Sequence, residues 1–207
     1  MNIAVKRNLF IMRKNYLFNA IFMILSIPLW SATSNPMGSL NLTIPVMTYS
    51  SIYLIEQLED FYKYDCILNS LPVTRDEIVK AKFESILVIY LINTILTLLA
   101  HLIYSVLGVT EFMSGQMFVM GLTLSFLISM LFAAVGTVLI YKFGYAKTKL
   151  FGIIIMMLTM CSISIPLYIL QKSNLVQFAS AVFLILGITA YVVSKKFALK
   201  IYAEKEF

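Results

Sequence analysis

Few residues in this chain can do chemistry. One histidine, His101, and two cysteines, Cys66 and Cys161, are too sparse for a metal site. There is no G-x-x-x-x-G-K-[ST] loop to cradle phosphate, no H-E-x-x-H to hold zinc and no G-x-S-x-G elbow to expose a nucleophile. The acids are gathered instead: Glu56, Glu59, Asp60, Asp65, Asp76, Glu77 and Glu84 are seven of the ten. They face only Lys63, Arg75, Lys80 and Lys82, so this stretch is net acidic in a chain of net charge +6. Anionic lipid heads repel such a segment, which suits it to meet a protein in the cytosol. The plainer alternative is a solvated connector.

Within it, Thr74 and Glu77 are spaced as a T-x-x-E capping box, in which each side chain takes the other's backbone amide. Pro72 discourages helix at Leu71, and Val73 and Ile78 are spaced as a hydrophobic staple, so a helix is predicted to start sharply at Thr74. Val79, Phe83, Ile86 and Tyr90 then follow helical spacing on one face, while Asp76, Lys80 and Glu84 stack on another.

The elements that carry this helix are apolar. Of 207 residues, 60% are hydrophobic and 13% charged, and the mean hydropathy is +0.90. A soluble domain needs about 25% charge, so the chain reads as an all-α membrane protein and as a single domain, 1–207. Six apolar runs approach the roughly 20 residues that cross a bilayer: 17–32, 40–58, 85–107, 117–140, 150–170 and 175–193. Basic residues fall on alternate connections, with Lys172 alone on the opposite side. By the positive-inside rule both termini are expected in the cytoplasm. The same bias accounts for the net charge, and no nucleic-acid partner is expected.

The second run is unusually polar. Asn41, Thr48, Tyr49, Ser51 and Tyr53 point to an interior helix that lines either a pathway or a helix interface. In the fourth, Gly121, Ser125, Ser129, Ala133 and Thr137 recur every four residues as a packing stripe. Asn93 and His101 read as hydrogen-bonding residues of the third run. Glu56 and Glu84 lie near cytoplasmic ends, which gives little support to proton-coupled transport.

The run from Leu71 to Lys82, LPVTRDEIVKAK, resembles the LP-[VI]-[ST]-R-x-E-I-V-x-x-K segment of small bacterial ABC-2 type permeases, most closely the phenol-soluble-modulin exporter group. The resemblance implies that Leu71, Pro72, Val73, Thr74, Arg75, Asp76, Glu77, Ile78 and Lys80 belong to a coupling helix that docks on a separate ATPase subunit. ATP and Mg would be bound there, with no cofactor in this chain. It also implies pairing with a second copy or a similar permease in the cytoplasmic membrane, and an amphipathic elbow helix in the amino-terminal stretch NIAVKRNLFIMRKN. The expected cargo is a membrane-active peptide or lipophilic compound. The connection from Gln171 to Asn174 is short for the outer helices of polysaccharide exporters. A vitamin importer's substrate-capturing subunit and a membrane-embedded enzyme are the alternatives.

Overall fold

A computed structural model describes residues 7, 8, 10, 11, 15–31, 36–62, 74–110, 114–148 and 176–204, with backbone alone at 30, 31 and 36–39. Every regular element among them is helical: α1 Tyr16–Ser31, α2 Pro36–Phe61, α3 Arg75–Val106, α4 Gly115–Met130, a π-helical turn Leu131–Val135, α5 Gly136–Phe143 and α6 Val176–Glu204. By length and composition α3, the α4–π–α5 unit and α6 can each cross a bilayer. The predicted fifth run, 150–170, lies outside the described residues.

Helices outrun the predicted spans because helix does not stop where hydrophobicity does. With 32 residues, α3 is about 48 Å long against about 30 Å of hydrocarbon, so its charged start has room to project. The sixth run was expected to end at Val193, yet α6 continues to Glu204. There Ser194, Ala198 and Tyr202 are buried at intervals of four, extending one packed face through a lysine-rich segment. By contrast α2 has 26 residues and is long enough to span, but its hydroxyls and amides keep it outside the group of long apolar helices.

Side-chain pairs set the helix directions. Ser26 bonds Thr43 while Asn19 bonds Ser51, so α1 and α2 are antiparallel. Asn93 bonds Thr48 while Lys82 pairs with Glu56, so α3 also opposes α2. Leu40 lies against Gly121 and Tyr49 against Phe132, which makes α2 and the α4–π–α5 unit parallel. Phe126 meets Gly187 and Tyr141 meets Tyr202, so α6 runs that way too.

The main core joins Leu40, Ile44, Ile52 and Ile55 of α2 to Val79, Phe83, Ile86 and Ile89 of α3, and reaches Ala133, Ala198 and Tyr202. Gly121, Ser125, Ser129, Ala133 and Thr137 all turn inward. Residues four apart drift by roughly 40° per step around an α-helix. The π turn admits an extra residue and offsets that drift, so the stripe stays buried through Thr137.

Candidate functional site

Thr74 has extended backbone, and its hydroxyl accepts the Glu77 amide at 3.3 Å. The Glu77 carboxylate accepts the Thr74 amide at 2.9 Å, completing the capping box. Hydrogen bonds from the Thr74 amide and then its hydroxyl hold the Glu77 carboxyl below its usual pKa. From this start the helix has two faces. Val79, Phe83, Ile86 and Tyr90 are buried, as their spacing predicts, while Asp76, Glu77, Lys80 and Glu84 are exposed. Leu71, Pro72 and Val73, and so the staple with Ile78, lie outside the described residues. Ile78 is buried against the main core.

Arg75 behaves differently from the acids beside it. Its guanidinium donates to the carbonyl of Ala203 at 2.8 Å, in the last turn of α6, where helix carbonyls lack intrahelical partners. Arg75 therefore fastens the start of α3 to the end of α6.

About two turns deeper, before the apolar run, Lys82 is 5% exposed and pairs with Glu56 at 2.9 Å and with Glu59. Burial alone would depress the Lys82 ammonium, but Glu56 and then Glu59 outweigh it and raise its pKa. Arg7 pairs with Glu59 and donates to Asn8 at 2.8 Å, and Asn8 donates to Ser85 at 2.9 Å. This network corrects the view of the whole acidic stretch as a cytosolic surface: Glu56 and Glu59 face inward and neutralise Lys82 and Arg7. It also gives Arg7 an acidic protein partner in addition to any lipid surface. A signal was available in the sequence, since Lys82 falls on the apolar face with Val79, Phe83 and Ile86.

The polar residues of α2 divide by role. Thr48 and Ser51 accept hydrogen bonds from Asn93 at 3.4 Å and Asn19 at 3.2 Å, which makes them interhelix contacts. Asn41 is 5% exposed and neither amide atom has a partner. It lies next to Gly121, and Pro45 four residues on has no amide to offer its carbonyl. Tyr49 and Tyr53 stack at 5.4 Å, Tyr49 meets Phe132 at 6.2 Å, and Tyr53 meets Tyr145 at 4.9 Å. The rings of Tyr49, Tyr53 and Phe132, with Glu56 and Thr137, border a cavity beside the π turn. On the stripe, Ser125 contacts the Tyr90 hydroxyl at 3.5 Å. The arrangement unites an exposed charged surface, a buried ionic joint and an aromatic cleft near one end of the bundle.

A family model described as "ABC-2 family transporter protein" matches residues 5–203, nearly the whole chain. No curated protein and no solved structure matches it.

Proposed function

The chain belongs to the ABC-2 transporter family and is a multi-pass membrane permease of an ABC transporter; on that premise we propose that it is an exporter subunit driven by a separate cytoplasmic ATPase docking at the start of α3. The observation that carries this reading is the form of that start. A capped helix presents Asp76, Lys80 and Glu84 outward and continues without a break into a membrane-length segment. A push on its exposed face therefore reaches the bundle through a rigid rod. Arg75 passes it to α6, and Lys82 passes it to α2 and the segment at Arg7.

Two permeases, identical or similar, would complete the transporter with two ATPase subunits. Six spans with both termini in the cytoplasm fit the parallel course of α2, α4 and α6 and the distribution of basic residues. The cargo is an amphipathic peptide or lipophilic compound moving outward, by resemblance to the peptide-exporting permeases. A tagged chain taken from the native membrane in mild detergent should bring down a soluble ATPase. The purified chain alone should not hydrolyse ATP, since the sequence has no glycine-rich phosphate loop. Saturable hydrolysis by the pure chain would overturn the subunit reading.

A further inference from the structure

The cavity between α2 and the π turn has a composition that the docking role leaves unused. Its volume is about 30 Å³, enough for one or two waters or a small ammonium head. Tyr49 and Tyr53 supply aromatic faces and Glu56 a carboxylate, and none of the lining residues is cationic. The hydroxyls of Tyr53 and of neighbouring Tyr145 are buried beside one another, and Tyr145 is 9% exposed. Aromatic faces beside a carboxylate attract an organic cation through the ring quadrupoles as well as the full charge. Ile52, Phe132, Leu139 and Ile140 complete the lining with apolar surface.

We propose that this cavity is a subsite for the ammonium group of an amphipathic amine, such as a lysine side chain or amino terminus of a membrane-active peptide. This rests on the exporter reading and names the chemistry its cargo presents. The ion pairs around the cavity allow such a guest. Lys82 is shared between Glu56 and Glu59, and Glu59 is shared between Lys82 and Arg7. Glu56 can therefore turn to an incoming cation while Glu59 holds both Lys82 and Arg7, and the extra positive charge falls on the Arg7 side, where the side chain is 21% exposed to water. The exchange also has a route outward. Lys82 sits two residues beyond Lys80 of the exposed face, so an occupied cavity alters the joint that positions the ATPase surface.

The test uses the full chain in nanodiscs of zwitterionic lipid, without ATPase or nucleotide. Binding of radiolabelled octylammonium is measured by equilibrium dialysis, with octan-1-ol as the neutral probe of equal tail. Octylammonium should show a saturable component, at least fivefold weaker in both Glu56→Gln and Tyr53→Leu, while octanol should only partition linearly. Tyr53→Leu leaves all four charges of the network in place, so it remains informative if Glu56→Gln folds poorly. The proposal is overturned if the wild-type chain shows no saturable octylammonium, if octanol saturates equally, or if folded Tyr53→Leu binds like wild type. Because no ATPase is present, failure here leaves the docking reading standing, and loss of ATPase capture leaves this one standing.

Discussion

Lys82 is the residue on which the packing around the start of α3 turns. It holds two carboxylates inside a folded surface where water cannot solvate them, so removing it differs from removing either acid. Lys82→Met leaves Glu56 without its ammonium and Glu59 with Arg7 alone, and should cost about 3–5 kcal/mol. Glu56→Gln should cost much less, because Lys82 keeps Glu59. Lys82→Met combined with Glu56→Leu should recover part of the loss, since the buried acid goes with its partner. Thermal unfolding of the three variants in one detergent reads this directly. Equal destabilisation by Lys82→Met and Glu56→Gln would mean that Glu59 does not share the lysine. Much of this was within reach of the sequence: an ammonium on a face with Val79, Phe83 and Ile86 must find acids, and Glu56 and Glu59 are spaced to share a helix face. The counting of acids as one surface hid it, because a count carries no direction.

At the scale of elements, the legible features were those decided by neighbours in sequence. The start of α3 needed only Thr74 and Glu77, and its two faces needed only the helical period. The small-residue stripe was legible for the same reason. What it packs against was not, since that depends on residues far along the chain. Gly121 lies against Leu40 of α2 and Ser125 against Tyr90 of α3. The contact of α4 with α6 uses another face: a Cβ at Gly187 would lie 2.6 Å from the Phe126 ring and 3.3 Å from the Leu127 backbone, so the close approach there depends on a glycine of α6. Gly187→Val should force the helices apart and destabilise by about 1–3 kcal/mol, whereas Gly136→Ala, with nothing within 4 Å of the added carbon, should not. Melting temperatures of both variants decide the point, and a Gly187→Val protein as stable as wild type would show that Phe126 moves aside freely. The π turn had no signal in the sequence pattern, since the four-residue spacing of Ser129, Ala133 and Thr137 runs through it unchanged.

At the scale of the whole molecule, the exposed, charged start of α3 is tied to α6 through Arg75 and to α2 through Lys82. The basic residues predict an orientation by the positive-inside rule: single cysteines at Ser39, Ser114 and Ser173 should react with an impermeant thiol reagent in intact cells, and Cys66 should not. Labelling confined to Cys66 would invert the bundle. Arg75 has a different standing from its neighbours, because replacing it disturbs the end of α6 as well as any partner. The direct test of the central claim therefore leaves Arg75 in place and reverses the outward face alone, with Asp76→Lys, Lys80→Glu and Glu84→Lys together. Those side chains are exposed, so membrane insertion and melting temperature should be unchanged, while misplaced charge at a docking contact is costly. The measurement is the amount of ATPase copurifying with the tagged triple variant relative to wild type. A tenfold or greater loss is the predicted result; capture at the wild-type level would contradict docking on this face.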